Sequence, residues 1–500
     1  MNDKLHHALN EISDKHLNEA ETYQKRRKPY WFAAVAALLV LALGIGAVFG
    51  GNGIPGTTGD AQLGSNPTTG IVQPSQPTTP SNTAPPNFFV PLANRVATPT
   101  YPTMVPCPSD PNDYGTADAW YDFQWQWRKT NALTPDETQS LDSFFLESSR
   151  LFLSGEGNQV YSPLNVYMAL AMLAEISDSN SRQEILNLLG AESVDALRTQ
   201  ARRIWTATYF ADGKNNSLLA NSLWLDDGYT FWEDTVQKLA NDYFASVFHG
   251  DLGTEDMNEQ LRAWLNEQTG DLLTEQAKNT ELSPETVLAL ASTLYFTGKW
   301  DTQFLEQNNT QDIFHSPAGD YETTFMHRTF EGAYYRGDHY GAIFLDFDAD
   351  ANGKMWLILP DEGYTVEDVL ASENWLTRED WTEQWAKIVL SLPKFDISSQ
   401  ANLVDGMKKL GLHDVFDWTV SDFSPICTGL PLYVDQIDHA VRVSIDETGV
   451  KAAAYTVIGL PGAGMPQDPP VVEFTLDRPF VFVIASPDDL PLFTGVVNAP

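Results

Sequence analysis

The segment Asp446–Pro470 reads DETGVKAAAYTVIGLPGAGMPQDPP and asks for two environments at once. Val450, Ala452, Ala454 and Thr456 are all small, whereas the interleaved Lys451, Ala453 and Tyr455 include a charge and a bulky ring. Successive residues of a strand point to opposite faces, so the even-numbered set suits the tight interior of a sheet. Alanine is otherwise depleted in strands, which makes an ordinary edge strand a poor account of the run. Gly459, Pro461, Gly462, Gly464, Pro466, Pro469 and Pro470 follow, residues that break ladders and mark exposed loops. One segment is thus prepared both for a sheet interior and for solvent.

A second constraint lies near the amino terminus. Trp31 to Phe49 reads WFAAVAALLVLALGIGAVF without a charge, close to the ~20 residues a helix needs to cross a bilayer. Lys25 to Lys28, KRRK, precede it and acidic residues dominate beyond it. The positive-inside rule then puts the amino terminus in the cytoplasm and the rest outside the cell. The charged leader is long for a secretory signal and no small-x-small cleavage site follows, which favours an uncleaved anchor over secretion after signal cleavage. Beyond the run, stretches such as GNGIPGTTGD and PSQPTTPSNTAPP cannot bury enough apolar surface to fold and read as a flexible stalk. The expected organisation is a cytoplasmic tail over 1–28, a transmembrane signal-anchor helix over 29–50, a linker over 51–117 and a folded domain over 118–500. DAWYDFQWQWRK, at the start of that domain, is aromatic enough to dock on a domain or to bind a ligand, docking being the more common use of such rings, and the sequence assigns it no role.

Composition narrows the chemistry. With 30 Lys and Arg against 67 Asp and Glu the net charge is −37, which disfavours nucleic acid and would draw in a cationic partner. Cys107 and Cys427, the only two cysteines, give neither a disulfide framework nor a thiolate metal site. No G-x-S-x-G, H-E-x-x-H, Walker loop or strand-following G-x-G-x-x-G occurs, and His315, His327, His339 and His439 lack ligand spacing. No catalytic residue, metal or cofactor is expected. A surface hydrolase on a stalk would need a nucleophile and base that these motifs do not supply.

From about Thr134 onward helices and strands mix. ETQSLDSFFLESSRLFL, NVYMALAMLAEI and TEDMNEQLRAWLNEQTGDLL carry helical spacing, while KMWLILP, RPFVFVIAS and VRVSID read as strands. The domain is α+β.

Several segments, in order, resemble the serpins, the family of serine protease inhibitors: NQVYSPLNVYMALAML, ANSLWL, LASTLYFTGKWDTQF, LSLPKFDISSQANLVDGMKKLGLHDVF, DFS, DHAVRVSIDETGVKAAAYT and FTLDRPFVFVI. The resemblance implies a large central β-sheet with further sheets, surrounding helices and an exposed reactive-centre loop that a target protease attacks as substrate. It implies a hinge formed by Glu447, Gly449, Val450, Ala452, Ala453, Ala454 and Thr456, which inserts into the central sheet after acylation. It also implies a shutter containing Ser162, Asn165, Ser292 and His439, and a breach tryptophan, Trp300. Two shutter positions depart from the family pattern: Ser292 stands for the usual Asn and Asn165 for a usual Ser, and a reciprocal exchange of this kind would keep one amide and two hydroxyls under the sheet, with Asn165 directed toward His439. At the first inward hinge position Val450 stands where the family prefers Thr or Ser.

Sixteen residues beyond Glu447 the resemblance puts the cleaved bond at Ala463–Gly464, and counting back from EFTLDRPF puts it nearer Met465. Pro466 on the leaving side would hinder cleavage after Met465, which favours Ala463. A small residue there suits an elastase-like or subtilisin-like serine protease and offers nothing to a pocket carrying a buried carboxylate. The expectation is therefore a protease inhibitor and not an enzyme, monomeric and single-pass in the cell membrane. A non-inhibitory serpin serving as a surface binding protein is the alternative.

Overall fold

The structure, a computed structural model, describes the backbone of residues 36–43 and residues 95–500 apart from 108–113, 213–214, 271–272, 279, 348–352, 428, 430 and 451–468. The strands are β1 (Ala36–Leu43), β2 (Arg95–Ala97), β3 (Gln159–Tyr161), β4 (Phe210–Ala211), β5 (Asn216–Asp226), β6 (Ala245–Gly250), β7 (Leu288–Lys299), β8 (Thr310–Ser316), β9 (Gly319–Arg336), β10 (Tyr340–Asp346), β11 (Lys354–Pro360), β12 (Thr382–Pro393), β13 (Phe395–Asn402), β14 (Val434–Ile445), β15 (Gly449–Val450), β16 (Val471–Thr475), β17 (Phe480–Ala485) and β18 (Pro491–Val497). The helices used below are α1 (Tyr114–Asn131), α2 (Asp142–Leu153), α3 (Pro163–Ile176), α4 (Ser179–Leu188), α5 (Val194–Thr208), α6 (Glu233–Asp242) and α7 (Glu255–Gln268).

Two large sheets result. The first runs β13-β14-β1-β7-β5-β6-β2, with β4 on β5 and β15 on β7. The second runs β16-β12-β9-β10-β11-β17-β18-β3, with β8 on β9. β5 and β7 are buried along nearly their whole length, because the first sheet is covered on both faces and such strands need apolar or small residues at every position. α3 is buried at all its positions, as expected of a helix apolar all round, and it packs under β7 and β18. Ser162 stands at its N-cap and Pro163 opens its first turn, where a missing N–H takes nothing from the helix. The strand and helix readings of the sequence thus recur, except that ETQSLDSFFLESSRLFL breaks into 135–139 and α2.

Two expectations meet a different structure. Ala36–Leu43, within the run expected to cross a bilayer as a helix, is a strand, paired parallel to both β14 and β7. An apolar stretch can satisfy its backbone either inside a helix or by bonding on both edges, and here it does the second. Among the described residues no helix is long and apolar enough to cross a membrane. The linker reading fails for the described residues between 95 and 107. Arg95–Ala97 pairs with β6 and covers that sheet edge, Met104 is buried, and the Tyr101 ring lies against Trp205, Tyr209 and Phe244. Few apolar residues, well placed, dock a segment whose composition reads as disordered.

The aromatic segment docks as well. Within α1, Trp120 and Gln124 are buried, and Arg128 makes a bidentate bond to Asp488 at 2.7 and 3.0 Å, in the turn between β17 and β18. The Asp488 side chain retains only 8% of its exposure, so removing its partner strands a carboxylate in a poorly solvated place. Arg128→Ala should lower unfolding stability by about 2 kcal/mol in a urea titration, and limited proteolysis should cut first between α1 and α2.

Candidate functional site

The central feature is the place that β1 takes in the first sheet. β7 and β14 are each parallel to β1 and therefore to one another, and both bond β1. Adjacent strands lie about 4.8 Å apart, so β7 and β14 flank a slot of roughly 10 Å that one strand fills. Position 38 of β1 registers with Leu290 and Ile437, and position 40 with Ser292 and His439.

Polar side chains gather at that second level. Ser292 faces Asn221 across β7 and β5, and its hydroxyl lies 2.5 Å from Asn165 Oδ1 and 2.7 Å from Asn221 Oδ1. Asn165, one turn into α3, donates Nδ2 to the Ser292 carbonyl at 3.2 Å. Asn221 donates to the Tyr243 carbonyl at 2.7 Å. On the far side of the slot, His439 Nε2 accepts the Ser162 amide at 3.1 Å, and the Ser162 hydroxyl donates to the Leu492 carbonyl at 2.6 Å. Because Nε2 accepts, a neutral His439 carries its proton on Nδ1. All five side chains are buried. Asn165 and Ser292 contact each other, and Asn221 adds a second amide that the sequence reading missed. Its signal was a polar residue inside the apolar run ANSLWL.

The hinge begins at the upper end of the slot. Gly449 and Val450 form β15, antiparallel to β7 opposite Lys299 and Gly298. Gly449 has φ +142°, and a Cβ there would stand 2.5 Å from the Gly298 carbonyl oxygen, so only glycine fits. Trp300, buried and stacked on Phe347 at 5.3 Å, donates Nε1 to the Asp446 carbonyl at 2.9 Å and its amide to the Thr448 carbonyl at 3.2 Å. Glu447 pairs with Lys394 and accepts from Asn309 Nδ2. Burial pushes the Glu447 carboxyl up, but bonds from Lys394, its own amide and Asn309 outweigh it and hold the group below the usual 4.5. Lys394 and Asn309 were not singled out in the sequence, because an ion pair between distant segments leaves no local pattern.

The structure therefore brings Glu447, Gly449 and Trp300 together at one end of the slot, and Ser162, Asn165, Ser292 and His439 around its middle. Hinge residues Ala452, Ala453, Ala454 and Thr456 and the bond candidates Ala463, Gly464 and Met465 lie outside the described residues. Among the described residues no group of acidic, histidine or cysteine side chains could hold a metal.

Two large sheets, a buried polar cluster beneath the central strands of the first and a segment leaving its end at Gly449 agree with the serpin fold that the sequence resembles. The serpin family model, described as serine protease inhibitor, matches residues 143–500, and the chain belongs to that family. An uncharacterized serpin-like protein of Thermococcus kodakarensis is 28% identical over 69% of this chain and 81% of its own length. A serine protease inhibitor of Cyanea capillata is 27% identical over 69% of this chain and 92% of its own. The native-state crystal structure of tengpin, a thermophilic serpin, superposes with a TM-score of 0.65 at 23% identity, covering 74% of this chain and 95% of that one. Members of the family are in general protease inhibitors and not enzymes.

Two predictions follow the geometry. Glu447 has a folded-state pKa below its unfolded one, so its pairing contributes fully above about pH 4.5 and is lost as pH falls through the lowered value. Trp300 fluorescence should report that loss as an acid transition, absent in Glu447→Gln. At the shutter, two buried amide oxygens share the one hydroxyl proton of Ser292, and Ser292→Ala, which removes it, should cost about 2 kcal/mol in denaturant unfolding. Combining Asn165→Ser with Ser292→Asn should cost less than the two single changes summed, as a double-mutant cycle would show.

Proposed function

We propose that this serpin is a suicide-substrate inhibitor of an elastase-like or subtilisin-like serine protease, held at the cell surface by its amino-terminal apolar run. One observation carries the inhibitory reading: Gly449–Val450 already pairs antiparallel to the end of β7, at the mouth of a slot one strand wide. Continuing that pairing would send Ala452, Ala454 and Thr456 toward one face and Lys451, Ala453 and Tyr455 toward the other.

The protease serine attacks the Ala463 carbonyl, forms an ester there and releases the Gly464 amine. The hinge, no longer tied at its far end, adds to β7 and β14 as a new strand and carries the acylated protease with it. If about ten ladder bonds contribute ~1 kcal/mol each, insertion releases on the order of 10 kcal/mol, comparable to the stability of a whole domain. That is enough to distort the bound protease before water hydrolyses the ester.

Anchoring and insertion fit together. The slot strand β1 comes from the same run that suits a bilayer, and it cannot occupy slot and membrane at once. With residues 31–49 in the membrane, amino terminus cytoplasmic and serpin domain outside, the slot is left to the hinge. Signal cleavage and secretion would have the same effect on the slot. The filled slot also favours a second reading, a non-inhibitory serpin acting as a surface binding protein.

Incubation with elastase separates them. The inhibitor should form an SDS-resistant complex of the summed mass, and its loop-cleaved form should melt at a much higher temperature than the intact form. Clean loop cleavage with persisting protease activity and an unchanged melting temperature would establish the non-inhibitory reading. Removal of residues 1–50 should leave complex formation intact or increase it.

A further inference from the structure

β16, β12 and β9 form one corner of the second sheet, and their odd-numbered residues share a face. Register places Trp385 beside Ala333, Lys387 between Glu331 and Val471, and Val389 between Thr329 and Glu473. The alternate residues Ala386, Ile388, Leu390 and Phe474 point the other way and are buried. On the outward face Trp385 is 51% and Val471 61% exposed. Glu331, Glu383, Glu473 and Lys387 are exposed around them. A tryptophan and a valine on neighbouring strands, one diagonal step apart, thus sit among three carboxylates and a single ammonium.

This face adjoins the reactive segment. The Lys387 amide donates to the Pro470 carbonyl at 2.9 Å, so β16 starts where the segment 446–470 ends. Ala463 lies eight residues before Val471, and a chain extending by at most ~3.4 Å per residue keeps the scissile bond within about 27 Å of the face. A protein held at that bond by an interface of ordinary size, roughly 800 Å² on each side, reaches this far.

We infer that the outward face of β9, β12 and β16 is a second docking surface for the target protease, and that the protease surface meeting it is basic. The protease as partner rests on the inhibitory reading above; the face and its charge do not. The carboxylates steer a cationic partner during encounter, and Trp385 with Val471 supplies the apolar contact once it has arrived. Target choice then depends on charge outside the cleavage pocket as well as on Ala463 inside it.

The test uses full-length protein and a cationic elastase whose nucleophilic serine is replaced by alanine, so that binding is read without acylation. Changing Glu331, Glu383 and Glu473 together to Lys should weaken binding about tenfold or more at low salt, and the difference should close at about 0.5 M salt, where the Debye length shrinks to a few ångströms. The triple change to Gln should weaken it about threefold, and Trp385→Ala about fivefold at either salt. Equal affinities for wild type and both triple variants, at matched melting temperatures, would overturn the surface, as would failure of the wild type to bind the inactive enzyme. Charge-dependent binding of the inactive enzyme without a covalent complex from the active one would keep the surface and remove the inhibitory reading.

Discussion

Two parallel strands held one strand's width apart present two facing rows of backbone donors and acceptors, and nearly everything distinctive in this molecule follows from how those rows are met. β7 and β14 sit in the centre of the first sheet, where water cannot serve them. A third strand between them is therefore worth a whole ladder, and any segment able to enter without steric penalty will be drawn there. Side chains facing the two covered faces must be small or apolar, which explains the character of the candidates to enter. The even-numbered residues of the hinge are small, and Ala36–Leu43 is apolar throughout.

The same demand explains the polar group beneath the slot. Parting two halves of a sheet needs a level at which the halves can separate without leaving buried groups unmatched. Here Asn165, Asn221 and Ser292 bond one another on the β7 side, while His439 and Ser162 bond on the β14 side. These bonds run within each side of the slot, so a strand can enter or leave without breaking them. At the upper end, Trp300 and the pair of Lys394 with Glu447 hold Asp446 and Glu447 beside the end of β7. Gly449, in a backbone conformation closed to other residues, lets the chain approach the end of β7 closely enough to pair with it.

Local pattern carried much of this in the sequence. The alternation Val450–Thr456, the apolar helix α3 and the buried strands β7, β11 and β17 all have periods or compositions that physical rules read directly. The exchange of Asn165 with Ser292 could be suspected because both segments resemble the family at those positions. What stayed hidden depends on distance along the chain. Asn221 joins the shutter through sheet register, Lys394 meets Glu447 through the strands that carry them, and Arg128 finds Asp488 from the opposite end of the domain. Docking of 95–107 was hidden for another reason: a handful of anchors, Arg95, Tyr101 and Met104, outweigh a composition that looks disordered on average.

The amino-terminal run shows how far one composition can serve two environments. A helix in lipid and a strand covered on both faces impose the same rule, that no side chain be charged and every backbone group be paired. Sequence hydropathy cannot separate the two, because it measures the side chains and not which partner meets the backbone. Of the nineteen uncharged residues, Ala36–Leu43 form the described strand, and its pairing with β14 on one edge and β7 on the other supplies the backbone partners that hydropathy leaves unstated.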